Sequence, residues 1–201
     1  MKRINIDSKQ THFIGCWNLE NNNLCYEIIK FFKDNKNLQK QGTTSSGKNL
    51  NVKSRIDISI NPNDLKKSKF KILKKYISEL HKCYVDYQNQ WPFLKSTFVE
   101  LDIGRFNIGE YSPGDHFAKL HSERTSIHSL HNLFAWMTYL NDVEDGGHTS
   151  FDHYDLKIKP EIGKTLIWPA EWTHAHSGEI LKSGKKYIIT GWIHLPGSSK
   201  I

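Results

Sequence analysis

Histidine is concentrated in the second half of this 201-residue chain, where nine of the eleven histidines lie between residues 116 and 194. His121 and Glu123 form an H-x-E pair there. On an extended strand, residues two apart project from the same face and lie about 6–7 Å apart at the backbone. An imidazole and a carboxylate from such a pair can therefore converge on one metal ion.

A third ligand has to come from a facing strand, and the segment WTHAHSG supplies two candidates, His174 and His176. Two imidazoles and one carboxylate on one side of a metal are the ligand set of non-haem Fe(II) oxygenases, which leaves other coordination positions open. An isolated H-x-E pair also occurs by chance in many chains. The pair therefore has to be judged by its context.

Four motifs follow the H-x-E pair in order: MTYLND, GGHTSF, KPEIGKTLIWP and THAHSGEILKSGKKYIITGW. Together with the lead-in YSPGDHFAKLHSE, they resemble the 2-oxoglutarate- and Fe(II)-dependent dioxygenases of the prolyl 4-hydroxylase-like family. In that family an H-x-D/E pair precedes a YLN strand and a GG-x-T-x-F turn. A distal histidine, a basic residue and a closing tryptophan come after them. The resemblance runs from Tyr111 to Trp192.

The resemblance implies that His121, Glu123 and His176 are the catalytic metal ligands, with Glu123 standing where most members of the family have Asp. His174 and His176 are two residues apart and are therefore expected on one face of a strand. The direction of their side chains thus does not tell which of the two is the metal ligand. The family spacing of ten residues between the distal histidine and the basic residue favours His176, ten residues before Lys186. His174 is then a neighbour of the site.

Lys186 is the residue that the resemblance assigns to 2-oxoglutarate. A carboxylate buried in a barrel needs a fixed cation and hydrogen bonds. Period-two alternation places Lys186, Thr190 and Trp192 on one face of a strand, the face expected to point inward. Tyr111, Tyr139 and Thr190 are further candidates to donate hydrogen bonds to the same carboxylate.

The cofactors implied by the resemblance are Fe(II), 2-oxoglutarate as cosubstrate, and O₂, with ascorbate as a further candidate. The implied reaction hydroxylates an unactivated C–H bond and releases succinate and CO₂. A proline-containing peptide or protein is the leading substrate, and a small molecule or a nucleic acid is the alternative within the same chemistry. A cupin-like module that binds a metal or a sugar without turnover remains an alternative of another class.

The net charge of +7 does not by itself indicate nucleic-acid binding, because the lysines cluster on the solvent face of an expected helix. Demethylases of nucleic acids usually bind the cosubstrate through arginines after the distal histidine, and this chain has none beyond Arg124. No apolar run is long enough to span a membrane. Three cysteines without C-x-x-C spacing favour a reducing, cytoplasmic location. The oligomeric state is left open.

Two helices are expected in the first ninety residues. Residues 19–34 carry apolar side chains near helical spacing after several asparagines that could cap the helix. Residues 63–90 repeat apolar side chains at three and four, with Asn63 as a candidate cap. Residues 41–51 have the composition of a flexible loop, and residues 53–60 alternate like a strand.

Strand signals dominate the second half, in the segments STFVELDIGRF, NLFAWMTYL, KTLIWP and KKYIITGWIHL. The fold class expected is mainly β with flanking helices: a double-stranded β-helix, or jelly roll, with the N-terminal helices packed outside. Residues 1–201 are expected to form a single dioxygenase domain. Residues 1–90 would be its helical support region and residues 91–201 its β core.

Overall fold

Two antiparallel sheets dominate the computed structural model, which describes residues 1–6, 12–42, 53–98 and 100–196. The strands are β1 Lys2–Arg3, β2 Gly15–Asn18, β3 Lys40–Gln41, β4 Ile56–Ile60, β5 Asp102–Ile103, β6 Phe106–Tyr111, β7 Phe117–His121, β8 Asn132–Tyr139, β9 Thr149–Phe151, β10 Leu156–Ile158, β11 Lys164–Pro169, β12 His176–Gly178 and β13 Lys186–His194. The major sheet has nine strands in the order β1-β2-β11-β8-β13-β6-β4-β3, with β5 paired to β13. The minor sheet has the order β10-β9-β12-β7.

Both faces of the central strands of the major sheet are covered, which explains why these strands are apolar throughout rather than alternating. In β8, Phe134 and Trp136 belong to a core shared with the helices. Ala135, Met137 and Tyr139 belong to a second core, together with Phe151 of the minor sheet. The molecule is therefore layered: helices, major sheet, minor sheet.

Three α-helices are present in the described residues: α1 Asn22–Asp34, α2 Lys71–Gln90 and α3 Phe93–Thr97. Asn21 caps α1, because its side-chain oxygen accepts a hydrogen bond from the amide of Leu24 at 3.1 Å. This agrees with the expectation of an asparagine cap. None of the described helices combines the length and the apolar character needed to cross a membrane.

The second helix begins later than the sequence pattern predicts, and Asn63 is not its cap. Residues Pro62–Lys66 and Ser68–Phe70 form 3₁₀ turns instead. Asn61 accepts from the amide of Asn63, and Lys67 has an extended backbone that separates the two turns. The apolar spacing continues across this break, which is why periodicity alone does not reveal it.

Most of the predicted strands are confirmed, including residues 132–139, 164–169 and 186–194. The segment STFVELDIGRF is the exception, because its first two residues end the short helix α3. Of its described residues before β6, only Asp102–Ile103 form a strand. The expected loop at residues 41–51 lies almost entirely outside the described residues.

The first ninety residues also contribute to the major sheet, where β2 pairs with β11 and β4 pairs with β6. The description of this region as helical support is therefore incomplete. The single-domain organisation of residues 1–201 stays a prediction.

Candidate metal centre

Three side chains converge at one end of the minor sheet: His121, Glu123 and His176. Their ligand atoms lie within 4.8 Å of one another, and among the described residues they are the only group of this kind. His121 ends β7 and His176 begins β12, and the two are directly opposite in the antiparallel register. The centroids of the imidazole rings lie 4.4 Å apart. The structure thus joins the H-x-E pair to a histidine from a distant segment of the chain.

Backbone carbonyls hold both histidines in one tautomer. Nδ1 of His121 donates to the carbonyl of Lys119 at 2.8 Å, and Nδ1 of His176 donates to the carbonyl of His174 at 2.9 Å. A carbonyl can only accept, so the hydrogen of each neutral ring is on Nδ1 and the Nε2 lone pair is free for a metal.

The carboxylate of Glu123 is oriented by Trp192. Its Oε2 accepts a hydrogen bond from the indole Nε1 of Trp192 at 2.7 Å, and its Oε1 lies 3.4 Å from Nε2 of His176. The closing tryptophan of the sequence motif therefore has a local role, because it fixes one carboxylate oxygen and leaves the other at the cluster.

The protonation states suit a divalent cation. Burial, followed by the neighbouring His176, lowers the pKa of His121 to about 4. Burial opposes ionisation of Glu123, but its interactions with His176 and the hydrogen bond from Trp192 outweigh burial and lower the pKa of Glu123. A neutral imidazole and an ionised carboxylate are the forms that bind a metal. Two imidazole nitrogens and one carboxylate fit Fe(II).

The two histidines of THAH have different environments. His174 lies on a 3₁₀ turn, Trp172–His174, that precedes β12, so the expectation that it shares a strand face with His176 is wrong. Its ring contacts the hydroxyls of Thr173 at 3.0 Å and Tyr154 at 3.4 Å. His176 is in the cluster, and His174 supports it through a backbone carbonyl.

Lys186 is a buried cation, 3% exposed, at the start of β13. Its Nζ donates to the carbonyl of Gly147 at 2.9 Å and lies 4.1 Å from the ring centroid of Tyr111. No carboxylate of the described residues forms a salt bridge with it. Burial, reinforced by the charge of Arg55, lowers its pKa to about 7. An anion placed beside this group would restore the charge that burial disfavours.

The three hydroxyl candidates differ in what they already bind. Tyr139 donates to the hydroxyl of Thr149 at 2.6 Å, and Thr190 donates to the backbone carbonyl of Trp136 at 2.8 Å. The oxygen of Tyr111 instead accepts from a guanidinium group. Among these candidates, Tyr111 is the one whose ring contacts Lys186.

The paired glycines of the GGH segment form the turn that receives Lys186. Gly146 and Gly147 have φ of +78° and +68°, a region of backbone conformation that glycine adopts without strain. A Cβ atom on Gly147 would lie 3.2 Å from Cδ of Lys186. Gly147 thus supplies both the space and the carbonyl that hold this lysine.

Sequence reasoning missed a group of charged residues in KSRID. Lys53, Arg55 and Asp57 are all buried and lie together at the start of β4. Charged residues at every second position next to an apolar strand are a detectable signal, because period two places them on one face. The alternation of this segment predicts a strand, but it does not by itself reveal that the charged face is buried.

Comparison with known proteins agrees with this geometry. Residues 106–194 match the model of the 2OG-Fe(II) oxygenase superfamily. Prolyl 4-hydroxylase subunit alpha-1 of Rattus norvegicus is 25% identical over 113 residues, which cover 51% of this chain and 21% of that protein. The chain therefore matches about a fifth of the length of such relatives.

Solved structures share the fold at low identity. A Pseudomonas putida prolyl-4-hydroxylase superposes with a TM-score of 0.71 at 15% identity, covering 93% of this chain and 95% of that one. A Trichoplax adhaerens prolyl hydroxylase, solved with a hypoxia inducible factor peptide fragment, gives a TM-score of 0.69 at 12% identity, covering 92% and 84%. These likenesses confirm the predicted double-stranded β-helix core. Residues 106–194 thus resemble the 2OG-Fe(II) oxygenase superfamily, and the chain is similar to prolyl 4-hydroxylases.

Proposed function

We propose that this protein is an Fe(II)- and 2-oxoglutarate-dependent dioxygenase that hydroxylates an unactivated C–H bond. The proposal rests on the convergence of His121, Glu123 and His176, together with a buried Lys186 that has no carboxylate partner among the described residues. A metal-binding or sugar-binding module without turnover would need the three ligands but has no use for a buried ammonium group. The three metal ligands and the buried lysine together favour a cosubstrate that has one carboxylate away from the metal, where Lys186 can bind it.

The chain's own residues bind and orient. Nε2 of His121 and of His176, with one oxygen of Glu123, would hold Fe(II), and Trp192 keeps that carboxylate in place. With 2-oxoglutarate and O₂, bound Fe(II) supplies an oxidation that converts the cosubstrate to succinate and CO₂ and inserts one oxygen atom into the substrate. Lys186 would bind the far carboxylate of 2-oxoglutarate in a site from which burial excludes water.

A proline-containing peptide or protein is the substrate class that we propose, with a small molecule as the runner-up. The relatives and structural neighbours are prolyl hydroxylases, and one of them was solved with a peptide. We propose a reducing compartment such as the cytoplasm, which is consistent with three buried, unpaired cysteines. Ascorbate belongs in the assays as a candidate reductant.

The test is succinate release from 2-oxoglutarate with Fe(II) and ascorbate, screened against proline-containing peptides, free amino acids and methylated oligonucleotides. We expect His121→Ala and Glu123→Ala to abolish succinate formation, because each removes one of three metal ligands. His128→Ala is the matched control, since His128 is exposed on the turn between β7 and β8. Normal turnover in the His121 variant would overturn the ligand assignment.

A second measurement separates an oxygenase from a binding module. Anaerobic addition of Fe(II) and 2-oxoglutarate should give the weak visible charge-transfer band of the chelate, and His128→Ala should retain it. A protein that binds Fe(II) but shows no such band would fit a binding module. The oligonucleotide arm of the substrate screen tests whether the net charge of +7 serves nucleic-acid binding.

A further inference from the structure

We propose that Arg55 is a positioning residue, which holds the Tyr111 hydroxyl so that it donates, beside Lys186, to the far carboxylate of 2-oxoglutarate. The inference rests on the proposed function, because it takes 2-oxoglutarate as the ligand. It adds a residue from outside the matched domain, since Arg55 precedes residue 106.

The three side chains form a row across the major sheet. Lys186 in β13 is directly opposite Tyr111 in β6, and on the other side of β6, Ile56 is opposite Glu110. Arg55 precedes Ile56 and therefore comes next to Tyr111 in the antiparallel register. Residues opposite one another on adjacent strands have neighbouring side chains. The row is a consequence of register, so the strands hold the three groups in place.

The hydrogen bond between Arg55 and Tyr111 has only one direction. Nη1 of Arg55 lies 2.7 Å from the Tyr111 hydroxyl oxygen, and a guanidinium group donates but cannot accept. The phenol therefore accepts with one lone pair, and its own hydrogen is left for another acceptor. Among the described residues no other hydrogen-bond partner of this hydroxyl is found. The ammonium group over the ring of Tyr111 cannot be that acceptor, because it carries no lone pair.

Two glycines make room for the ion pair that fixes Arg55. Asp57 lies 2.6 Å from Nε of Arg55 with one oxygen and 2.9 Å from Nζ of Lys53 with the other. A Cβ atom on Gly109 would come within 2.9 Å of the first oxygen, and one on Gly42 within 2.9 Å of the second. Larger residues at either position would displace the carboxylate. The guanidinium is thus held at its Nε edge, while its Nη1 faces Tyr111.

The charges of this group leave a place for an anion. Lys53, Arg55 and Lys186 are buried cations, and Asp57 forms salt bridges with the first two. Buried charges need partners. A carboxylate that accepts from both Lys186 and Tyr111 would supply the negative charge that Lys186 lacks. The hydrogen of Tyr111, oriented by Arg55, is the second donor that such a carboxylate requires.

The experiment is a double-mutant cycle on binding rather than on turnover. Calorimetry with Mn(II) in the metal site gives the Kd of 2-oxoglutarate and of 2-oxobutyrate, which lacks the far carboxylate. We expect Arg55→Gln and Tyr111→Phe each to weaken 2-oxoglutarate binding about tenfold. The double variant should be no weaker than either single one, because Tyr111→Phe removes the donor and Arg55→Gln removes only what orients that same donor. Binding of 2-oxobutyrate should be unchanged in all three variants.

Arg105→Gln is the matched control, since Arg105 is exposed and lies outside this row. If Arg55→Gln does not fold, Arg55→Lys takes its place in the cycle, because it keeps a cation beside Asp57 but not the forked donor. Additive losses, or equal losses for the two ligands, would show a merely structural role and overturn the inference. Wild-type protein that fails to bind 2-oxoglutarate at all would overturn the proposed function instead.

Discussion

At the scale of single residues, Lys186 links the proposed cosubstrate site to pH. Its pKa of about 7 results from burial first and from the charge of Arg55 second. Below that pH the side chain is an ammonium group and can bind a carboxylate directly. Above it, binding requires the uptake of a proton, so we expect the Kd of 2-oxoglutarate to rise by up to about tenfold per pH unit. Calorimetry between about pH 6 and 9, with Mn(II) present, measures this slope.

Lys186→Arg provides the comparison for this slope. A guanidinium group stays charged over the whole range, so the Kd of this variant should not rise in the same way above neutral pH. Groups other than Lys186 that titrate in this range affect both proteins alike. An equal slope in the wild type and in Lys186→Arg would therefore assign the pH dependence to some other group.

Some of the site can be predicted at this scale, and some cannot. His121, Glu123 and Lys186 are visible along the chain, and the family resemblance, with its interval of ten residues before Lys186, favours His176 over His174. The structural neighbours of Tyr111 are not visible in this way, because they depend on which strand lies beside β6. Residues distant in sequence become neighbours there only through sheet register.

At the scale of elements, predictions succeed where one periodic signal decides the outcome. The segment at residues 186–194 is rich in β-branched and aromatic residues and follows a turn, and the structure has a strand there. The start of α2 is predicted too early because apolar spacing continues through two 3₁₀ turns. The extended backbone at Lys67, which breaks the helix, leaves no mark on that spacing.

The glycine turn that precedes β9 can be tested with a matched pair of substitutions. Gly147 and Gly184 have φ of +68° and +70°, so alanine at either position is expected to cost about 1 kcal/mol of stability. Only at Gly147 would the new Cβ press on Lys186, at 3.2 Å from Cδ, whereas Gly184 has no atom within 4 Å. We therefore expect Gly147→Ala to weaken 2-oxoglutarate binding about tenfold and Gly184→Ala to leave it unchanged. Denaturant unfolding and calorimetry measure the two effects.

The binding data decide this prediction, since both variants lose stability. Unchanged affinity in Gly147→Ala would mean that the lysine does not depend on the turn for its position. Equal weakening in both variants would assign the effect to backbone strain rather than to contact with Lys186.

At the scale of the whole molecule, the major sheet separates two cores with different tasks. The core facing the minor sheet includes Tyr111, Tyr139 and Phe151, and the ring centroid of Phe151 lies 5.5 Å from that of His176. The core on the opposite face is built with α1 and α2. The lysines of α2, among them Lys71 and Lys74, are exposed on the outer side, in agreement with their interpretation as a solvent face. The helices and the core that contacts the candidate metal centre thus lie on opposite faces of one sheet.

This separation predicts a variant that loses stability without losing affinity. A buried chain of hydroxyls fixes α2 to the sheet: Tyr76 contacts Thr138 at 2.7 Å, Thr138 contacts Thr165 at 2.7 Å, and Thr165 donates to the carbonyl of Gly163 at 3.2 Å. Because that carbonyl only accepts, each hydroxyl donates to the next and Tyr76 begins the chain.

Tyr76→Phe should therefore lower the free energy of unfolding by about 1 kcal/mol, since one buried hydrogen bond is lost. The Kd of 2-oxoglutarate should not change, because Tyr76 lies in the core on the helix side of the sheet. Tyr26→Phe, at an exposed position on α1, is the control that should alter neither quantity. Urea unfolding and calorimetry on the same preparations make the comparison. A loss of affinity in Tyr76→Phe equal to its loss of stability would mean that the two faces of the sheet are coupled, so that the helices help to shape the site as well as supporting it.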